Sequence, residues 1–264
     1  NYEKEKFLFE KQPDDVKFEL SEKNILFEDE FIICVDKPAL FPTEETLAGG
    51  EKRDSLHAAV VRYLWKKNPG LRNPPYVGIM HRLDRETSGV ILFTKQRSVN
   101  KEIQRMFAEH DFIKNYLALC TDDTGKLRPG KEFSVEMFMN RISPKSHAAK
   151  WGSVSESSGG LYSRTDFCVL KEVFYGDEKF FLVQANLFTG RTHQIRVHMQ
   201  ALGHPLLGDS LYGTSTEREE QCPIYRAALH AENVTFRQPF SQEMITLEAP
   251  FPDDFCHLLG DITF

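Results

Sequence analysis

The sequence predicts an α+β fold in which short strands outnumber helices and neighbouring strands are often joined as hairpins. Two observations carry this prediction. Short apolar runs rich in β-branched and aromatic residues recur along the 264-residue chain, and clusters of turn-forming residues separate them. Hydrophobic residues make up 41% of the chain and charged residues 27%, as in globular proteins and unlike disordered or collagen-like chains.

The first predicted element is a hairpin. Apolar residues 25–27 and 31–35 flank an acidic turn, and Pro38 ends the second strand because proline cannot extend a ladder. Asp54 is predicted to cap a helix whose apolar residues follow at helical spacing. Asn68-Pro69-Gly70 is predicted to end that helix.

The remaining elements follow the same reasoning. Ser98 and Thr192 are predicted to cap two more helices, and Gly203 is a suitable residue to end the second of these. The helix after Thr192 should turn Ile195, Met199 and Leu202 towards the core. Strands are predicted at residues 89–93, 113–120, 166–174, 180–187, 228–236 and 244–247.

The chain is predicted to form one main domain, residues 25–264, preceded by an acidic arm at residues 1–24. Within the domain, residues 121–163 carry several Gly and Pro turns and are interpreted as an irregular excursion. No signal-peptide core and no membrane-spanning apolar run are present. The five cysteines are scattered, which predicts reduced thiols in the cytoplasm and no zinc site of the usual spacing.

The formal net charge of −6 is unevenly distributed. Residues 1–30 contribute −5 and residues 248–264 contribute −4, while the part between holds 28 Lys and Arg against 25 Asp and Glu. Basic stretches lie at residues 52–73 and 141–150. The acidic total therefore does not exclude a nucleic-acid partner, and four lysines of these stretches are predicted to contact phosphates: Lys66, Lys67, Lys145 and Lys150.

Two strings hold more polar residues than packing requires. In residues 81–89, Asp84 lies just before an apolar strand, and a carboxylate at such a strand entrance can be half-buried and still reach a cleft. A plain turn aspartate is the alternative interpretation. In residues 190–198, Arg196 lies near a helix start, which is unfavourable for the helix dipole and predicts an anionic partner, either structural or functional. His193 and His198 are interpreted as structural or RNA-contacting residues rather than metal ligands.

The chain resembles the RluA-type pseudouridine synthases in three strings: H-R-L-D-R-E-T-S-G at 81–89, G-R-T-H-Q-I-R-V-H at 190–198 and G-H-P-L-L-G-D at 203–209. Weaker blocks at 114–118 and 228–231 agree, the opening at 25–30 running on to 35–39 is also similar, and the resemblance runs from about residue 25 to 250 in the family's block order. It implies a mixed, mainly antiparallel central sheet with a catalytic cleft and flanking helices. It also implies an isomerase that converts specific uridines of structured RNA to pseudouridine, with no cofactor.

The resemblance also implies roles for individual residues. Asp84 matches the essential aspartate, Tyr116 the tyrosine that packs on the uracil, and Arg196 the basic residue that pairs with the aspartate. Arg82 matches the residue that helps displace the target nucleotide, and Leu229 lines the pocket. Three more residues of the second string are expected to contact substrate: Arg191, His193 and Gln194.

The chemistry makes matching demands. Pseudouridine formation breaks the C1′–N1 bond, rotates the base and forms C1′–C5 without redox change. One ionised carboxylate must act at the sugar, as nucleophile or as base, and a nearby guanidinium favours its ionised form. A flipped uracil needs an aromatic ring or an Arg plane to replace its lost stacking.

The sequence departs from the family's pattern in two places. Relatives often have Gly and then His-Pro after K-P-A, whereas residues 40–45 read L-F-P-T-E-E. The residues before the first hairpin are too few for the S4 RNA-binding domain that many relatives carry. The changed loop motivates one alternative, a non-catalytic RNA-binding protein on a synthase scaffold. A second alternative is a glycoside hydrolase that uses Asp84 with Glu86.

Several properties stay open at this stage. Ribosomal and transfer RNA are both family substrates, so the modified RNA is not determined. The expected partner is RNA, with no membrane and no obligate protein partner. A cytoplasmic monomer is the default expectation.

Overall fold

The computed structural model describes residues 18–48, 51–144, 149–213 and 224–260. Within them the chain forms thirteen strands and four α-helices. The strands are β1 Ile25–Glu28, β2 Ile32–Lys37, β3 Thr46–Ala48, β4 Glu51–Arg53, β5 Gly78–Ile79, β6 Ser88–Thr94, β7 Ile113–Cys120, β8 Glu132–Arg141, β9 Trp151–Ser153, β10 Leu161–Tyr175, β11 Glu178–Leu187, β12 Leu229–Arg237 and β13 Met244–Glu248. The helices are α1 Leu56–Lys67, α2 Asn100–Ala108, α3 Gln194–Ala201 and α4 Asp253–Leu259.

The described chain divides into two compact units. Unit 1 consists of residues up to Phe112 together with Ala231–Pro250, and unit 2 consists of Ile113–His230 together with residues from Phe251 onward. Each unit contains antiparallel strands and helices, which confirms the predicted α+β class. No helix in the described ranges is long and apolar enough to cross a membrane.

Unit 1 is built on strands in the order β1-β2-β6-β12, with β5 paired to β6 and β13 paired to β12. The antiparallel pairing of β1 with β2 confirms the predicted hairpin. All seven residues of β6 are buried, because this strand is covered on both faces. Its core side chains, Val90 and Leu92, pack with Ile103 of α2 and with Phe236 of β12.

Helix α1 begins one residue later than predicted. The hydroxyl of Ser55, not the Asp54 carboxylate, accepts the backbone N–H of Ala58 at the N-terminus. Asp54 is engaged instead by the guanidinium of Arg62, at 2.7 and 2.8 Å. The predicted apolar stripe of α1 is confirmed, and the helix stops before Asn68 as expected.

The predicted cap of α2 is also wrong. Ser98 lies inside a short 3-10 turn, Arg97–Val99, and Val99 occupies the position before α2 without any side-chain cap. The 3-10 turn runs directly into the helix, so backbone hydrogen bonds replace the cap that Ser98 was expected to provide.

Unit 2 contains an antiparallel sheet in the order β7-β11-β10-β8-β9. The interpretation of residues 121–163 as irregular is wrong for their central part, because Glu132–Arg141 forms β8 and pairs with β10 along its length. The sequence does contain a strand pattern here, because apolar residues occupy alternate positions and so lie on one face of a strand: Phe133, Val135, Met137 and Met139.

Helix α3 begins after His193, not after Thr192 as predicted. His193 has a left-handed backbone with φ of 57° and makes no side-chain cap. Gly203, with φ of 78°, ends the helix as predicted, because the N–H of His204 reaches the carbonyl of Met199 across it. Ile195 and Met199 are buried as expected, whereas Leu202 is 40% exposed and does not face the core.

Two features near the chain ends were not resolved by sequence. Helix α4 was not predicted, although its Phe255, Leu258 and Leu259 are buried in the main apolar cluster of unit 2. Of the predicted arm, residues 1–17 lie outside the described residues. The described end of the arm packs on unit 1, where the ring of Phe18 contacts that of Phe41 at 5.0 Å between centroids.

Gly89, at the start of β6, lies against the backbone of Ala231. It has a φ of +110°, and a Cβ atom added there would lie 2.1 Å from the carbonyl oxygen of Ala231. Only glycine permits both this backbone conformation and this approach. The same residue faces Lys37 across the β2–β6 pairing.

We expect Gly89→Ala to lower the free energy of unfolding by about 3 kcal/mol or more, because the new methyl group overlaps backbone that has little room to move. Urea unfolding followed by circular dichroism measures this. Gly70→Ala is the matched control, since its new methyl group meets no atom within 4 Å. Equal, small effects of both substitutions would show that β6 and β12 separate easily.

Candidate active site

Asp84 lies in a tight turn between β5 and β6 of unit 1. The N–H of Thr87 donates to the Asp84 carbonyl oxygen at 3.1 Å and closes this turn. The Asp84 residue is half-buried. Its neighbour Leu83 is buried, and the Leu83 carbonyl oxygen accepts the Thr43 hydroxyl at 2.9 Å. The turn is therefore anchored on both sides, while residue 84 as a whole keeps partial access to solvent.

The side chain of His81 holds in place the residues that precede this turn. Its Nε2 accepts the backbone N–H of Leu92 at 3.0 Å, and its ring packs on Phe107 with centroids 4.8 Å apart. Because Nε2 accepts a hydrogen bond, the ring is neutral with its proton on Nδ1. His81 is thus a structural member of the first string.

Arg82 projects outward from the same string, with 60% of its side chain exposed. Its Nη1 lies 2.9 Å from Glu44, an acid in the loop that departs from the family's pattern. Leu40 of this loop has a left-handed backbone with φ of 63°. The structure explains why glycine is usual after K-P-A, since a left-handed backbone is strained for leucine.

Arg196 and Asp209 form a buried ion pair in unit 2. Arg196 Nε and Nη2 donate to the two carboxylate oxygens of Asp209 at 2.7 and 2.8 Å, and the side chains are 5% and 0% exposed. Asp209 also accepts the backbone N–H groups of Leu211 and Tyr212 at 3.0 and 3.1 Å. The anionic partner predicted for Arg196 therefore exists, and this pair orients the guanidinium plane.

Tyr212 connects Arg196 with His193. The Arg196 guanidinium lies over the Tyr212 ring, 5.1 Å from its centroid. The Tyr212 hydroxyl accepts the backbone N–H of Trp151 at 2.8 Å and lies 2.9 Å from His193 Nδ1. The left-handed backbone of His193 places its ring at this hydroxyl, so the strained residue belongs to the same cluster as Arg196.

Gln194 braces the loop before α3. Its Oε1 accepts from the Thr189 hydroxyl at 2.7 Å and from the Arg191 N–H at 3.0 Å. Its Nε2 donates to the Arg164 carbonyl oxygen and to the Thr165 hydroxyl, both at 2.9 Å. These four bonds use the whole capacity of the amide, so the structure gives Gln194 a positioning role, and its predicted substrate contact stays a prediction.

Arg191 is half-buried, and its Nε donates to the Tyr162 carbonyl oxygen at 2.9 Å. This contact holds the side chain along β10, next to the loop that Gln194 braces.

Tyr116 lies on β7 and Leu229 is the first residue of β12, and both residues belong to unit 2. Tyr116 is 8% exposed and faces Ala185 of β11. Leu229 is 5% exposed, and its carbonyl oxygen accepts a hydrogen bond from the buried Arg226 at 3.0 Å. Arg226 in turn pairs with Asp254 at 2.6 Å. The backbone of Tyr116 is therefore held by strand pairing, and that of Leu229 by the hydrogen bond from Arg226.

His198 has a structural role. It is fully buried, and its Nε2 donates to the Ser163 hydroxyl at 2.9 Å because that hydroxyl donates to the Met137 carbonyl oxygen at 2.7 Å. Burial lowers the pKa of His198 to about 4, so its ring is neutral at pH 7. No group of His, Cys, Asp and Glu in the described part of the chain has the arrangement of a metal site.

The structure groups the predicted residues in two sets. Asp84 and Arg82 share one loop of unit 1, and the other six lie in unit 2. Sequence reasoning missed the residues that hold both sets in place. Asp209 and Lys37 stood in strings that resemble the family but received no role, and Tyr212 and Arg226 gave no signal beyond being polar residues beside apolar segments.

The comparisons with known proteins agree with the motifs. A model of RNA pseudouridylate synthases matches residues 31–201, well over half of the chain. This chain belongs to the RNA pseudouridylate synthase family. Its reaction class is therefore the isomerisation of uridine to pseudouridine in RNA, which makes it an isomerase with an RNA substrate.

Curated relatives bear names from the same family. The chain is 35% identical over 240 residues to an uncharacterized RNA pseudouridine synthase, YhcT, of Bacillus subtilis, covering 91% of this chain and 72% of the relative. It is 33% identical over 242 residues to ribosomal large subunit pseudouridine synthase D of Nitrosomonas europaea, covering 90% and 64%. Synthase C of Pasteurella multocida is also 33% identical over 242 residues, covering 90% and 68%.

Solved structures support the fold. Human RNA pseudouridylate synthase domain containing 4 superposes with a TM-score of 0.67 at 21% identity, covering 90% of this chain and 92% of that one. Human RNA pseudouridylate synthase domain containing 1 gives a TM-score of 0.66 at 24% identity, covering 89% and 87%. The predicted pseudouridine synthase-like fold is confirmed.

We expect Asp209→Asn to lower the free energy of unfolding by about 3 kcal/mol, because it removes the carboxylate charge that the buried Arg196 guanidinium binds through two short hydrogen bonds. Asparagine keeps an oxygen for the backbone N–H groups of Leu211 and Tyr212, so the effect isolates the ion pair. Urea unfolding measures it.

Asp166→Asn is the matched control, since Asp166 pairs with Arg164 at 3.3 Å on an exposed surface. A change of about 0.5 kcal/mol or less is expected there. Equal losses in the two variants would mean that burial adds nothing to the Arg196–Asp209 pair.

Proposed function

We propose that this RNA pseudouridine synthase modifies ribosomal RNA and that Asp84 is its catalytic carboxylate. The relatives named ribosomal large subunit pseudouridine synthase, which cover 90% of the chain, support ribosomal RNA over transfer RNA. The position of Asp84 supports its role, because it combines a closed, anchored turn with partial access to solvent. Such a position is what a group that must approach a substrate atom requires.

Each step of the reaction requires a particular residue. Asp84, when ionised, attacks C1′ or removes a proton from the sugar, and both routes stay open. The C1′–N1 bond breaks, the uracil turns, C5 bonds to C1′, and the C5 hydrogen leaves as a proton. Tyr116 supplies the aromatic face for the freed uracil, and Leu229 supplies an aliphatic wall.

The basic residues have different parts. Arg82 is exposed and carries a guanidinium plane that suits the displaced nucleotide or its phosphate. Arg196 is oriented by Asp209, and its pairing with Asp84, which the resemblance implies, stays a prediction. Arg191 and His193 are proposed to contact RNA near α3.

The cell compartment and the oligomeric state expected from the sequence are proposals as well. A reducing compartment such as the cytoplasm is supported by Cys34 and Cys120, which are buried free thiols. Burial raises the pKa of each thiol, which keeps both protonated and unreactive. Action as a monomer without an obligate protein partner also stays a proposal.

We expect Asp84→Asn to abolish turnover while leaving RNA affinity within about two-fold, because asparagine keeps the shape but supplies neither nucleophile nor base. Tritium release from ribosomal RNA transcribed with [5-³H]uridine measures turnover, and filter binding measures affinity. Full turnover by the Asn variant would overturn the role of Asp84.

Glu86→Gln is the matched control in the same turn. It is expected to keep turnover, whereas loss of tritium release from both variants would give Glu86 a part in the same reaction. Sugar release from a glycoside, with RNA left unchanged, would favour the glycoside hydrolase alternative. Absence of tritium release by the unaltered protein from both ribosomal and transfer RNA would favour the non-catalytic RNA-binding alternative. Release from transfer RNA alone would overturn the ribosomal substrate.

The phosphate contacts predicted from charge are partly revised by the structure. Lys66 and Lys150 are exposed, and Lys67 pairs with Glu28 at 2.9 Å, which reduces its value for phosphate binding. Lys145 lies outside the described residues. Lys66 and Lys150 are therefore the better candidates of the four.

We expect the double substitution Lys66→Gln with Lys150→Gln to weaken RNA binding and to reduce the slope of log affinity against log salt by about 1 to 2, because two phosphate contacts are lost. Filter binding over a range of KCl concentrations measures both effects. Lys179→Gln is the control, because Lys179 pairs with Glu172 at 3.3 Å in the β10–β11 hairpin. An unchanged slope in the double variant would place the phosphate contacts elsewhere.

A further inference from the structure

Glu44 places a carboxylate against Arg82, beside the Asp84 turn of unit 1. Its Oε1 accepts a hydrogen bond from Arg82 Nη1 at 2.9 Å, and the side chains of Glu44 and Arg82 are 41% and 60% exposed. The contact therefore lies at the surface of the unit, where an RNA phosphate competes with Glu44 for the same guanidinium. The proposed function uses this guanidinium for the displaced nucleotide or its phosphate.

One hydrogen bond fixes the backbone on both sides of this pair. Thr43, which precedes Glu44, is buried, and its hydroxyl donates at 2.9 Å to the carbonyl oxygen of Leu83, which follows Arg82. The two segments are thus joined at the residues next to the pair. The fold itself therefore brings the Glu44 carboxylate and the Arg82 guanidinium together.

The loop that carries Glu44 is anchored at further points. Two N–H groups at the start of α1 donate to the carbonyl oxygens of Pro42 and Thr43 at 2.9 and 3.1 Å. The buried ring of Phe41 packs on the ring of Phe18, with centroids 5.0 Å apart. Exposed ion pairs are usually weak, partly because two flexible side chains must be ordered. Here the backbone is already ordered, so less of that entropy is lost when the pair forms.

The pair changes what Arg82 offers to RNA. A cationic side chain gains affinity for the RNA backbone by neutralising a phosphate and releasing its counterions. A guanidinium that is paired with a carboxylate has little net charge to offer, and an approaching phosphate is repelled by the carboxylate. A displaced nucleotide differs, because the guanidinium plane also replaces the stacking that the nucleotide has lost.

We propose that Glu44 is a specificity-determining residue, and this rests on the proposed role of Arg82 in displacing the target nucleotide. Glu44 neutralises the charge of Arg82 towards RNA that presents no displaced nucleotide, so such RNA gains no phosphate contact there. Target RNA breaks the same pair but gains stacking on the guanidinium plane in return. Glu44 therefore raises the ratio of target to non-target affinity by weakening the non-target complex more.

The first measurement compares the unaltered protein with Glu44→Gln, which keeps the size of the side chain and removes its charge. The probe is a duplex RNA of about 20 base pairs without unpaired nucleotides, and filter binding measures its affinity. We expect the variant to bind about 4-fold more tightly at about 50 mM KCl and to lose most of this advantage at about 200 mM. The slope of log affinity against log salt should steepen by about 1, because one phosphate contact is gained.

Glu102→Gln is the matched control, on α2 of the same unit. Glu102 pairs with Arg105 at 2.7 Å and is 40% exposed, so its substitution removes an equally exposed acid and changes the net charge equally. Arg105 keeps Glu109 as a partner, so its guanidinium stays neutralised. Duplex affinity should therefore stay within about two-fold of the unaltered protein.

A double variant tests whether the gain passes through Arg82. Glu44→Gln combined with Arg82→Gln should bind the duplex no more tightly than Arg82→Gln alone, because the charge that Glu44 neutralises is absent from both. The slope against salt should also be the same in these two variants.

Tritium release from ribosomal RNA measures the effect on the target. We expect kcat/KM for ribosomal RNA to rise less in Glu44→Gln than the duplex affinity does, because target RNA is relieved only of breaking an exposed pair. The ratio of kcat/KM to duplex affinity should therefore fall in this variant, whereas Glu102→Gln should leave it unchanged.

Several results would overturn the proposal. They are an unchanged duplex affinity and slope in Glu44→Gln, an equal gain in Glu102→Gln, and a gain that persists when Arg82 is also replaced. A rise in kcat/KM that equals the gain in duplex affinity would remove the effect on selectivity. Full turnover by Asp84→Asn, or no tritium release by the unaltered protein, would instead overturn the proposed function, and duplex binding distinguishes these cases because it requires no turnover.

Discussion

The geometry around Asp84 depends on the close approach of the Gly89 and Ala231 backbones. A Cβ at residue 89 would lie 2.1 Å from the Ala231 carbonyl oxygen, so the start of β6 accepts no other residue without movement. Lys37 pairs with Gly89 across β2 and β6, which brings its ammonium group to the carbonyls of the Asp84 turn. The turn is thus held by a steric constraint and a buried charge in the same place.

Unit 2 uses a buried charge in a different way. Asp209 accepts two bonds from Arg196 and two from backbone N–H groups, so a carboxylate with 0% exposure has its charge compensated. The cost of burial is offset because both partners are fixed in one geometry. Tyr212 and the strained His193 complete the cluster. In both units, a buried charged group holds neighbouring groups in one geometry.

The errors of the sequence interpretation have common physical causes. Ser55 replaced Asp54 as a cap because Arg62 engages the aspartate, and a partner eight residues away is not visible in a cap motif. His193 preceded α3 because its backbone is left-handed, a conformation that tertiary contacts enforce. Strand β8 was missed because the Gly and Pro turns on either side of it favoured an irregular segment, despite the alternation of apolar residues within it. Only its pairing with β10 shows that the segment is a strand.

The sequence by itself determined the α+β class, most strand positions and the family, because short-range patterning and two long strings carry that information. It also placed Asp84 in a loop before a buried strand and required an anion for Arg196. Only the tertiary structure identified that anion as Asp209, placed Lys37 beneath the Asp84 turn and showed why residue 89 is glycine. These facts depend on contacts between residues distant in the chain, and side-chain burial and charge pairing are decided only when those residues meet.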